Sequence, residues 1–180
     1  KFTLEEILGR AENLFKKGNF PRAEVAYKKA FKYVKSPAEK NKIRFSIGMC
    51  QFRQKQYSNA AKSFELIKDS EAAYWTARSF YRINDMTGFN IVMKKFEEKY
   101  PGNNYLAKLL IMLANEQKKE GELIEAEETF KRVISEFPSD SEDALWGLGW
   151  MNYTKGKYEE AVKYFSALTS SAKNDAYYRY

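Results

Sequence analysis

Apolar and polar residues along the chain do not alternate with period two over any stretch long enough to predict a strand. Small, apolar and aromatic residues recur instead at helical intervals, in blocks that resemble one another. In ALWGLGWMNYTKGKYEEAVKYF, residues 144–165, Gly149 is followed seven residues later by Gly156, then by Tyr158, Ala161 and Phe165 at steps of two, three and four. Gly121, Leu123, Ala126 and Phe130 repeat the spacing 35 residues earlier. Ala11, Gly18, Phe20, Ala23 and Tyr27 do so near the start. Gly48, Tyr57, Ala60 and Phe64 do so again, with Lys55 in the glycine place. A weaker copy keeps Ala77, Asn84 and Met86 but has Phe89 for the alanine and Met93 for the aromatic.

The copies predict five repeats near 4–40, 41–69, 70–106, 107–141 and 142–173, with 174–180 opening a further helix. Their first positions, near Leu4, Asn41, Ser70, Ala107 and Glu142, are 37, 29, 37 and 35 residues apart. A period of about 34 residues resembles the tetratricopeptide repeat, a helix–turn–helix unit. Its first small residue is matched by Ala11, Gly48, Ala77, Ala114 and Gly149. Its second is matched by Ala23, Ala60, Ala126 and Ala161, and its linker proline by Pro101 and Pro138. The resemblance covers nearly the whole chain. It implies an all-α fold, a right-handed α-solenoid of about five antiparallel helix pairs, read as one domain.

The physics of such a fold accounts for the pattern. Small residues sit where paired helices cross. Gly18, Gly121 and Gly156 end first helices, where a left-handed conformation costs glycine little. Phe20, Tyr27, Tyr57, Phe64, Phe130, Tyr158 and Phe165 are expected to fill the space between units, because a single pair cannot bury its own apolar face. TLEE (Thr3 to Glu6), SPAE (Ser36 to Glu39) and SDSE (Ser139 to Glu142) are predicted capping boxes.

Composition changes the picture in three ways. There is no histidine among 180 residues, which removes Ser-His-Asp and Cys-His catalysis and most transition-metal sites. With no Walker loop and no GxGxxG, no cofactor, metal or catalytic residue is predicted. The pairs Glu97/Glu98, Glu127/Glu128 and Glu159/Glu160 read as solvated helix faces. The single cysteine, Cys50, reads as a small core residue. The net charge of +7 is uneven: residues 1–100 carry 21 Lys/Arg against 11 Asp/Glu, and residues 101–180 carry 10 against 13. The lysines are spread over helix faces, which argues against a nucleic-acid partner. The longest apolar run, LAKLLIMLA, is broken by Lys108 and predicts no transmembrane segment. A start at Lys1 and the closing NDAYYRY suggest a segment of a larger protein.

The tetratricopeptide resemblance also implies where a partner binds, because first helices line the concave groove of that family. In the second repeat this gives Lys42, Phe45 and Arg53, with Met49 and Phe52 beside them. The third gives Tyr74, Arg78, Tyr81 and Arg82. The fourth gives Lys118, and the fifth Trp146 and Trp150, with Tyr153 beyond. The family's clamp for a C-terminal carboxylate uses Lys and Asn where the first repeat has Leu8 and Glu12, so that clamp is not expected. A protein or peptide partner is, with Arg78, Arg82, Trp146 and Trp150 as its main anchors.

A narrower resemblance points elsewhere. DALWGLGWMNYTKGKYEEAVKYFSAL with NDAYYRY, and AAYWTARSFYRIND, resemble the superhelical region of Slt-type soluble lytic transglycosylases. That resemblance implies peptidoglycan as a ligand and a bacterial periplasmic location, with a cytoplasmic location as the alternative. No catalytic residue carries over from it.

Overall fold

In a computed structural model, residues 2–171 are described, and every regular element among them is helical. The ten α-helices are α1 (Leu4–Lys16), α2 (Phe20–Phe31), α3 (Pro37–Arg53), α4 (Tyr57–Glu65), α5 (Ser70–Arg82), α6 (Met86–Lys99), α7 (Asn104–Glu120), α8 (Leu123–Glu136), α9 (Glu142–Thr154) and α10 (Tyr158–Ser171). A 3-10 turn, Pro138–Asp140, precedes α9. The further helix expected at 174–180 lies outside the described residues. No helix among the described residues is long and apolar enough to cross a membrane.

Each first helix ends in the same way. Gly18, Gly121 and Gly156 adopt φ of 74°, 84° and 73°, and Lys55 and Asn84 hold that slot at 62° and 59°. This left-handed residue reverses the chain into the second helix of the pair. The crossing positions are closed by size. Ala11, Ala77 and Ala114 are fully buried, as are Ala23, Ala60 and Ala126. A Cβ at Gly149 would lie 2.5 Å from the Phe165 ring, and one at Gly48 2.7 Å from Phe64.

The chain divides into two compact units, Lys1–Tyr100 and Pro101–Tyr180. In the first, α1 to α6 pack in sequence, each helix on the next. Its apolar interior runs from Ile7, Ala11, Ala23 and Tyr27 to Ile43, Ile47 and Cys50, and then through Ala60, Phe64, Ile67 and Ala72. A polar network threads this stack. The buried Glu24 carboxylate on α2 accepts from Gln51 (3.1 Å) and Gln54 (2.7 Å) and pairs with Lys28 (2.7 Å), while Ser63 on α4 donates to Gln51 (2.7 Å). In the second unit, α7 packs on α8, α8 on α9 and α9 on α10. There Gly147 of α9 lets the Phe130 ring of α8 approach to 2.6 Å from where a Cβ would stand.

Several local expectations are corrected. Of the three capping boxes only Thr3–Glu6 forms, with Glu6 N–H donating to Thr3 and Thr3 N–H to the Glu6 carboxylate. Ser36 is extended, makes no side-chain cap bond, and leaves the start of α3 to Pro37. Ser139 lies inside the 3-10 turn, and the residue that caps α9 is Ser141, whose hydroxyl turns back to the Pro138 carbonyl (2.8 Å). Pro37 is the first residue of α3, the first-turn place expected of it, and α7 begins at Asn104. Each is 17 residues long, against 13 for α1, α5 and α9. Tyr158 does not fill a gap between pairs. It is 61% exposed, with the edge of its ring against Tyr153 (5.6 Å).

Candidate functional site

The candidate residues fall into two groups, one in each unit. In the first unit α5 carries Tyr74, Arg78 and Arg82 at steps of four, with Tyr81 three after Arg78, which places them along one helical face. Arg78 is half-buried. Its guanidinium lies over Trp75 (4.9 Å), Phe52 (5.7 Å) and Tyr74 (6.0 Å) and donates to the Tyr74 hydroxyl (3.3 Å). One turn on, Arg82 lies over the Tyr57 ring (5.2 Å) and donates to its hydroxyl (2.9 Å). The rings beneath are locked edge to face: Phe52 meets Tyr57 and Trp75, each at 5.0 Å. Tyr74 itself is buried, and Tyr81 tilts against Phe89 (5.8 Å). Two guanidinium groups are thus held by cation–π and hydrogen-bond contacts, with five N–H donors each to share. A guanidinium so placed suits a carboxylate, and its seat reduces the freedom lost on binding.

Lys42 and Phe45 part company. Phe45 turns inward onto Phe64 (5.3 Å). Lys42 is exposed and lines a cavity of about 240 Å³ between α1 and α3, together with Leu8, Glu12, Ile43 and Ser46. Arg53 ends α3 as an exposed side chain.

In the second unit Lys118 is half-buried in the last turn of α7. On α9 the indoles of Trp146 and Trp150 lie one turn apart, near-parallel at 12°, with centroids 6.4 Å apart. Tyr153 extends the row (5.6 Å, 26°) and Phe165 of α10 supports Trp146 (5.4 Å). The two indoles are 41% and 48% exposed, so they form an aromatic strip on the surface rather than a core.

Of the acidic pairs expected on helix faces, Glu127 of α8 is tied up by lysines. Hydrogen bonding from Lys131 outweighs burial and, with Lys155 at 3.5 Å, holds the Glu127 carboxyl below its ordinary range. A general acid needs the opposite shift. Burial and then the charge of Glu24 push the Cys50 thiol up to about 12, far from a reactive thiolate.

Residues 8–71 and 111–176 match the tetratricopeptide repeat family model, which covers well over half of the chain. The chain belongs to the tetratricopeptide repeat family. No curated protein sequence matches it. Solved structures share its fold. A MamA crystal structure superposes with a TM-score of 0.69 at 21% identity, over 98% of this chain and 96% of that one. MamA from Desulfovibrio magneticus RS-1, residues 41 to the end, gives 0.69 at 15% identity over 93% and 94%. YrrB, described as a tetratricopeptide repeat protein with an unusual peptide-binding site, gives 0.60 at 16% over 94% and 86%. At such identities the likeness concerns the fold.

Sequence reasoning missed Trp75 as a site residue and read Tyr57 only as a spacer ring. Both are platforms for arginine. The available signal was the run Tyr74, Trp75, Arg78, in which a cation at i+3 and i+4 reaches back over two rings on one helix.

Proposed function

We propose that the chain is a non-catalytic protein-interaction scaffold that holds an acidic segment of a partner protein against the α5 face of its first unit. The observation that carries this reading is the seating of Arg78 on three rings and of Arg82 on a fourth, with the Lys42 cavity opening between α1 and α3 of the same unit. The family supports a protein partner, and the peptide-binding site named for YrrB supports a peptide in particular. Aromatic and arginine anchors supply most of the free energy at protein interfaces. Selection of displayed random peptides on the immobilised chain tests the reading. Enriched peptides should carry Asp or Glu, and Arg78→Ala with Arg82→Ala should weaken them by about 2 kcal/mol, roughly thirtyfold. Undiminished binding to that double variant contradicts the proposal.

A second reading rests on the α9 strip. Near-parallel, half-exposed indoles at Trp146 and Trp150 are suited to stacking on sugar rings, such as those of peptidoglycan. Co-sedimentation with insoluble peptidoglycan that is lost in Trp146→Ala with Trp150→Ala would favour it. No co-sedimentation would remove it.

A further inference from the structure

Positive charge is densest where α2 turns into α3. Between Lys28 and Arg44 the chain carries seven Lys or Arg against one acid, Glu39. The fold gathers part of this charge on one surface. From α3, Lys40 and Arg44, one turn apart, reach over the Phe31 ring at the end of α2, at 5.9 and 5.2 Å. Arg44 is steadied by Asn41, to which it donates (2.9 Å). The turn that follows Phe31 adds Lys32, Tyr33 and Lys35, all three exposed. Its backbone is held in place: Tyr33 N–H donates to the Ala30 carbonyl (2.9 Å), and Val34 is buried. Tyr33 is therefore set outward, 61% exposed, among four cations.

The acids nearest in sequence are engaged elsewhere. Glu24 is buried, bonded to Gln51 and Gln54 and paired with Lys28. Glu39 lines the cavity between α1 and α3, on the other side of α3 from Phe31. The surface is also flanked within the chain. Both α1 and α3 pack on α2, and both α2 and α4 pack on α3, so it belongs to the rim of the helix stack rather than to an end of it.

We infer that this rim binds the surface of an anionic lipid bilayer, with Lys32, Lys35, Lys40 and Arg44 against lipid phosphates and Tyr33 at the level of the headgroups. Three features favour a bilayer over a nucleic acid or an acidic peptide. Three of the four cations are lysines, point charges that meet a mobile headgroup layer without the fixed fork of arginine. Tyr33 is a single amphipathic ring at a turn, of the kind that settles at a membrane interface, rather than one of a row on which successive bases stack. Phe31, the other ring, lies beneath two of the cations and is engaged by them. A basic cluster gains affinity for an anionic leaflet from each cation and needs no pocket to do so.

The test uses the whole chain and vesicles of phosphatidylcholine, alone or mixed in equal parts with phosphatidylglycerol. Co-sedimentation should occur with the mixed vesicles at least about tenfold more strongly than with the neutral ones, and should fall as salt is added. Lys32→Ala with Lys35→Ala should weaken it about thirtyfold, with the melting curve unchanged because both side chains are exposed. Lys16→Ala with Lys17→Ala, an exposed pair at the end of α1, removes the same charge and should weaken it less than about threefold. Tyr33→Ala should weaken binding while leaving its salt dependence as it was. Arg78→Ala with Arg82→Ala should leave binding unchanged, which separates this rim from the α5 face. Absence of co-sedimentation, equal binding to both kinds of vesicle, or equal losses from the two lysine pairs overturns the inference. Binding of a single-stranded oligonucleotide while the vesicles are ignored also overturns it, in favour of nucleic acid.

Discussion

The two glycines of α9 occupy the same helix but face different rings. A Cβ at Gly147 would stand 2.6 Å from Phe130, whose side chain is fully buried and has nowhere to move. A Cβ at Gly149 would stand 2.5 Å from Phe165, whose ring is only half-buried and can tilt outward. Overpacking a closed site costs about 1–3 kcal/mol, and replacing a helical glycine by alanine returns about 1 kcal/mol. Gly147→Ala should therefore destabilise by about 1 kcal/mol or more, while Gly149→Ala should be close to neutral, as read from denaturant midpoints. Equal losses would mean that ring mobility does not decide the outcome. The crossing glycine Gly149 was legible in the sequence because the repeat spacing pointed to it. Gly147 was not, because it lies off that spacing and its reason is a ring from the preceding helix pair. The seat of Arg78 was half-legible for a similar reason: periodicity assigns a residue to a helix face but does not say on which ring a guanidinium comes to rest.

Helix ends and helix junctions carry the next set of consequences. Thr3→Ala removes a formed capping box and should cost about 1 kcal/mol. Ser36→Ala removes no side-chain bond and should cost close to nothing, although both sites share the same S/T-x-x-E pattern. Thermal melts of the two variants give the comparison. The pattern alone could not separate them, since a box needs an extended cap with its side chain free to turn onto the helix. At Ser139 the chain is already coiled before the helix begins. The end of each first helix was more legible, because a left-handed slot favours glycine and the register then located Lys55 and Asn84 by position. Between helices, Glu24 ties α2 to α3, and through Gln51 to α4. Burial raises the pKa of this carboxyl, but bonds from Lys28, Gln54 and Gln51 outweigh that and leave it below its ordinary 4.5. A carboxylate depressed in the folded state adds stability above its unfolded pKa. That contribution fades as pH falls through the folded value. Glu24→Gln should therefore lower stability at pH 7 by about 1–3 kcal/mol and flatten the acid limb of the stability curve. An acid limb identical to that of the unsubstituted chain would show that this carboxylate does not drive the loss.

At the scale of the molecule, charge and structure divide at the same place. The first unit ends at Tyr100, and residues 1–100 hold the excess of Lys and Arg, whereas residues 101–180 are mildly acidic. The proposed α5 contact falls on the basic unit, so long-range attraction favours an acidic partner there. The five helix pairs could be read from the sequence because one spacing recurs. The division at Tyr100 could not, since repeat spacing runs across it without a break. Three tryptophans report on the central claim without labelling or substitution: Trp75 beneath Arg78 in the first unit, and Trp146 and Trp150 in the second. Their indole N–H resonances should be followed while an acidic peptide selected on the chain is added. The account predicts that the Trp75 signal shifts to saturation while the other two hold still. Saturable binding that leaves Trp75 unmoved would contradict it.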